Sequence, residues 1–113
     1  MTMASLTYRA TLSFPKEEQF GLTSQMRSSA VSVAGNIAEG AGRGSDSDYR
    51  RFLRIAYGSA CELETQARIA QHEGMGEPQQ INELIALTDG VRQLLAKCIQ
   101  RLGSDAPAVS SKQ

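Results

Sequence analysis

Between Ser45 and Glu73 the apolar residues fall on two lines with a seven-residue repeat. Leu53, Ala60 and Ala67 form one line; Ala56, Leu63 and Ala70 form the other. That spacing keeps to one side only on an α-helix, and a sustained repeat predicts a helix seated along other helices. Ser45-Asp46-Ser47-Asp48 supplies the start. Ser45 can cap, Asp48 stands where a capping-box acid would, and both acids suit the positive helix end. The helix should run to about Glu73 and span ~43 Å. Phe52, Ile55 and Ile69 add a second apolar strip, and Tyr57 adds to the excess. A helix with two apolar edges contacts more than one neighbour.

The flanking segments are read the same way. Met1–Ser13 is a short, weak helix candidate with Leu6, Ala10 and Leu12 on a partial apolar side. Phe14-Pro15 ends it, because the residue before proline avoids the helical region. Phe20 is the expected anchor of the turn that follows. Leu22, Met26, Ala30 (or Ser29), Val33 and Ile37 then recur at three- and four-residue steps. Gly35 lies inside that helix, where glycine costs up to about 1 kcal/mol relative to alanine, so a close backbone approach is expected there. Gly40, Gly42 and Gly44 end the helix at a left-handed cap. Gly74-Met75-Gly76-Glu77-Pro78 is the next turn, with Pro78 at the start of the last helix. There Ile81, Leu84, Thr88, Val91, Leu95, Cys98 and Leu102 alternate by threes and fours, with Leu87, Leu94 and Ile99 beside them. Gly103 stops it. The short connections make neighbouring helices antiparallel. The expected fold is all-α: an up-and-down four-helix bundle over residues 1–103 with a short first helix, followed by a disordered tail over 104–113.

A chain of 113 residues fits one domain. No stretch approaches the ~20 apolar residues of a membrane span, and no basic-then-apolar leader opens the chain, so a cytoplasmic protein is expected. Cys61 and Cys98 sit in helical patterns and read as buried, reduced thiols. Net charge is zero, with 12 basic and 12 acidic residues, so there is no global nucleic-acid signature. The distribution is uneven: seven basic and five acidic residues through Arg54, five and seven after it.

Catalysis is hard to build from these residues. His72 is the only histidine. Di-iron bundles need paired Glu-x-x-His units, and Glu39, Glu62 and Glu64 have none. No metal or other cofactor is expected. The Gly40–Gly44 run follows a helix where a phosphate loop would follow a strand, so it reads as an interhelical corner. Arg50, Arg51 and Arg54 crowd the start of the long helix, just after Arg43. Positive charge opposes the dipole there, which asks for a reason: pairing with Glu39, Asp46 and Asp48, or a phosphate backbone. Asn36, Glu39, Glu62, Glu64 and Gln66 flank the apolar stripes. They read as a hydrogen-bond network between helices, with a ligand site as the alternative.

Several motifs occur together in order: Phe14-Pro15-Lys16-Glu17-Glu18, Gly21-Leu22-Thr23-Ser24-Gln25-Met26-Arg27, Asn36-Ile37-Ala38-Glu39-Gly40, Arg51-Phe52-Leu53, and Gly58-Ser59 through Glu62-Leu63-Glu64-Thr65-Gln66. Over residues 8–75 the chain resembles the bacterial four helix bundle proteins, named after proteins encoded in intervening sequences of the large-subunit ribosomal RNA gene. The last helix matches in pattern only. The resemblance implies a non-enzymatic bundle that assembles as a homopentameric ring. It also implies kinship with the accessory protein of diversity-generating retroelements, a basic pentamer that binds nucleic acid and a reverse transcriptase. This chain departs from that pattern at Ser28, where a second arginine is common. It departs again at Ala34, where proline is common, and at Ala60 and Ala67, where leucines are common.

Two functional expectations follow. Either Arg27, Arg43, Arg50, Arg51 and Arg54 form a surface for RNA or a nucleic-acid-processing protein, or they serve ion pairs in an adaptor ring that recognises a protein partner. Arginines lined up on one open face would favour the first. Arginines already paired with acids would favour the second.

Overall fold

The computed structural model describes residues 2–103 and places four α-helices among them: α1 (Met3–Thr11), α2 (Leu22–Ala41), α3 (Asp46–His72) and α4 (Pro78–Arg101). No strand occurs among the described residues. The tail expected over 104–113 lies outside them. α3 packs against α2 and α4, and α1 bridges α2 and α4. Ser32 meets Ser59 and Gln71 meets Asn82, while Glu64 meets Arg92.

The heptad of α3 is the core. Leu53, Ala56, Ala60, Leu63, Ala67 and Ala70 are all buried. Met26, Ala30 and Val33 of α2 and Ile81, Leu84 and Leu95 of α4 close over them. The Ser45 hydroxyl accepts from the Asp48 amide at 3.1 Å, as the capping signal requires, while the Asp48 carboxylate turns to Arg51. Pro78 occupies the first turn of α4.

α1 is shorter than its sequence window, and its buried side includes two threonines. The Thr7 hydroxyl donates to the Met3 carbonyl and the Thr11 hydroxyl to the Thr7 carbonyl, so neither hydroxyl is buried unsatisfied. Leu12 falls beyond the helix and is exposed. Phe20, the expected anchor, is 90% exposed; Phe14 takes that role, at 8%. Its ring seats on the α3–α4 turn at Gly76, which has φ +77°. A Cβ on Gly76 would lie 2.8 Å from Phe14 Cε1 and 3.1 Å from the Ala10 carbonyl oxygen. Glycine is therefore required there twice over, for its backbone conformation and for space.

The close approach expected at Gly35 is found at Gly40 instead. A Cβ at Gly35 would meet nothing within 4 Å, whereas one at Gly40 would lie 2.8 Å from Phe52 Cβ and 3.0 Å from Tyr49 Cδ1. α2 continues through Gly40 to Ala41, and its cap Gly42 keeps a right-handed φ of −84°. Of Gly40, Gly42 and Gly44, it is Gly44 that takes the left-handed region, at φ +86°. Cys61 and Cys98 are free thiols, and both are half-buried where full burial was expected.

Candidate functional site

The five candidate arginines do not share one face. Arg27 belongs to the α1–α2 side. Its Nε donates to the Thr11 hydroxyl at 2.9 Å and its guanidinium lies 4.6 Å from the centre of the Tyr8 ring. Arg50 is the plain correction to an exposed basic surface: it is 6% exposed and donates to the Gly103 carbonyl at 3.0 Å. Arg54 is exposed on the α3–α4 side, in a shallow groove with Ala96, Ile99 and Gln100.

Arg43 and Arg51 do come together, at the α2–α3 corner. Their guanidinium groups lie 5.0 and 4.5 Å from the centre of the same ring, Phe52. Each also has a local carboxylate: Glu39 at 3.1 Å from Arg43, and Asp48 at 3.7 Å from Arg51. The arginine side chains remain 45% and 58% exposed. Gly40 makes this corner possible, because its missing Cβ lets Phe52 and Tyr49 reach the α2 backbone.

The expected polar network separates into pieces. The Asn36 amide donates to the Ser32 carbonyl and hydroxyl, and the Ser32 and Ser59 hydroxyls share a 2.7 Å hydrogen bond between α2 and α3. Glu64 accepts from Arg68 on its own helix and from Arg92 of α4 at 3.1 Å; Arg92 also pairs with Asp89. Hydrogen bonds to Tyr57, Glu64 and Asp89 hold the Arg92 pKa above its ordinary value. Gln66 lines a polar groove of about 530 Å³ with Ser29, Ser59 and Glu62; its Oε1 is buried with no partner among the described residues. Glu39 belongs to the arginine corner and Glu62 is exposed. Among the described residues, no three His, Cys, Asp or Glu side chains are grouped to hold a metal ion. No described helix is long and apolar enough to cross a membrane.

Residues 1–97 match the family described as 23S rRNA-intervening sequence protein. The chain belongs to that family. The match carries the resemblance read over residues 8–75 outward, through α1 and most of α4. A solved structure from Bacteroides thetaiotaomicron, described as a protein with unknown function from the S23 ribosomal protein family, superposes with a TM-score of 0.72. It is 18% identical, and the alignment covers 88% of this chain and 99% of the other. At that identity the likeness speaks for the fold. No curated protein matches this chain.

Three features of this family member escaped the sequence reading: Phe52 as the shared arginine platform, the Arg92–Glu64 link, and an exposed face on α1–α2. That face is a groove of about 610 Å³ in which Tyr8, Phe20 and Val31 surround Arg27. Phe20, Val31 and Tyr8 are 90%, 53% and 45% exposed. The adjacency of Arg51 and Phe52 was visible in the sequence, but which ring face Arg43 reaches depends on the corner.

Proposed function

We propose that this protein is a non-catalytic structural module that assembles into a homo-oligomeric ring, a pentamer, and acts as an adaptor for a protein partner in the cytoplasm. Its topology is read as an antiparallel up-and-down bundle, supported by the pairings of Ser32 with Ser59, Gln71 with Asn82 and Arg50 with Gly103. The observation that carries the adaptor reading is the fate of the arginines. Arg43 and Arg51 are paired with acids, Arg50 is inside, and Arg27 is held by Thr11 and Tyr8. Assembly is supported by the apolar side chains left in water: Phe20, Val31 and Tyr8 on one side, Ile55, Ile69 and Leu94 on others. Different patches on one chain suit a heterologous contact, which closes into a ring when its rotation allows.

RNA binding is the second reading. It has lost its five-arginine surface and rests on Arg43 and Arg51, whose guanidinium groups remain half-exposed over Phe52. The family description names where its genes lie, which is a location and not a ligand. Sedimentation velocity at micromolar concentration tests assembly: a five-subunit mass is expected, and a monomer would remove the ring. Capture from native lysate with and without ribonuclease then separates the readings. Protein captured regardless of ribonuclease supports the adaptor; material lost on ribonuclease treatment supports RNA.

A further inference from the structure

We infer that the α2–α3 corner is a stacking site for an unpaired nucleobase and its flanking phosphate, built from Arg43, Arg51 and Phe52. This rests on the nucleic-acid reading and does not depend on the adaptor role.

A guanidinium is planar, and one face of the plane can lie on an aromatic ring while the other stays open. Arg43 and Arg51 both have Phe52 at that distance, and both keep about half their side-chain surface in water. The ring itself is 9% exposed, so a ligand reaches the arginines and not Phe52. Arginine planes stack on unpaired bases, and their N–H edges suit phosphate oxygens bidentately. A duplex keeps its base faces stacked inside and offers only edges and phosphates. The geometry therefore selects a single strand.

The carboxylates of Glu39 and Asp48 occupy the arginine edges in the absence of a ligand. The partners are only three or four residues apart in sequence and all four side chains are about half in water, so each pair is weak and exchangeable. A phosphate would displace them, and removing their charge should favour it. Phe52 is a positioning residue: it holds the two planes without touching the ligand. Gly40 admits it to the corner.

The test is fluorescence anisotropy at low salt with a labelled single-stranded oligoadenylate, an abasic strand of equal length, the corresponding duplex, and polyglutamate as competitor. The wild type should bind oligoadenylate about fivefold or more tighter than the abasic strand, the scale of one stacked base. Arg43→Gln and Arg51→Gln should each weaken oligoadenylate binding by about tenfold. Glu39→Gln with Asp48→Asn should tighten it by about threefold or more, because two negative charges beside the phosphate are gone. Phe52→Leu should erase the preference for adenylate over the abasic strand while phosphate binding persists, an effect a purely structural role would not produce. Circular dichroism checks that each variant is folded. Equal affinity for adenylate and abasic strands, or no gain in the Glu39/Asp48 variant, would overturn the site. RNA binding that survives both arginine substitutions would overturn it and leave RNA binding elsewhere. Competition by polyglutamate at equal charge would put an acidic peptide at the corner instead. No RNA binding by the wild type or the Glu39/Asp48 variant would remove the nucleic-acid reading altogether.

Discussion

The Arg50 guanidinium at the start of α3 donates to the Gly103 carbonyl just past the end of α4, 3.0 Å away. This accounts for a positive charge near the positive end of α3. The acceptor stands one residue past the Leu102 cap of α4, beside the helix end whose last carbonyls carry the negative end of the dipole. Arg50 ties the start of α3 to the segment that follows α4, at a local cost to its own helix.

Arg50→Gln should therefore lower stability by about 1–3 kcal/mol, the scale of a hydrogen bond from a charged donor. Arg50→Glu should cost more, because it sets a carboxylate against carbonyl oxygens. Arg54→Glu, on an exposed side chain, should cost less than either. Urea denaturation followed by circular dichroism reads all three. Equal effects at the two positions would show that the Gly103 contact contributes nothing.

Gly40 and Gly35 occupy the same helix and should respond in opposite ways. Gly40→Ala drives a methyl against Phe52 Cβ and Tyr49 Cδ1, and overpacking of this kind costs about 1–3 kcal/mol. Gly35→Ala meets nothing, so it should raise stability by up to about 1 kcal/mol through helix propensity. Paired thermal melts decide the matter. A Gly40→Ala melting temperature at or above wild type would mean the corner relaxes freely.

Phe14 and Phe20 make a second contrast. Phe14→Ala removes a buried ring and should cost about 3 kcal/mol or more. Phe20→Ser should leave the melting temperature of the dilute protein unchanged and lower the sedimentation coefficient at micromolar concentration. A mass unaffected by Phe20→Ser would place the contact between copies on another patch.

Arg92 ties α4 to α3 through Glu64. Arg92→Gln with Glu64→Gln should be milder together than the sum of the single changes, because each single change already loses the one contact they share, while Glu64 keeps Arg68 and Arg92 keeps Asp89. A double-mutant cycle of melting temperatures measures this. With its pKa raised further by Tyr57, Glu64 and Asp89, Arg92 stays protonated through neutral and moderately alkaline pH. Its share of the stability is fully present below arginine's ordinary value and is lost as pH climbs from there through the raised one.

The helices and the core were readable from residue order because periodicity is local. A seven-residue repeat places Leu53, Ala60 and Ala67 on one side whatever else the chain does, and all three are buried. Ser45 and Pro78 mark helix starts by chemistry confined to a few neighbouring residues. The family motifs were likewise legible as ordered strings. What residue order left open was which side of an element meets another. Gly35 and Gly40 are both helical glycines, and only the packing of α2 on α3 makes one of them indispensable. Arg50 and Arg51 are neighbours in sequence. About 100° of helical rotation sends one inward to Gly103 and leaves the other on Phe52 in water. Phe14 and Phe20 flank one turn, and the docking of α1 on Gly76 buries the first while leaving the second exposed. These outcomes depend on distances between residues far apart in the chain, and such distances exist only once the helices have packed.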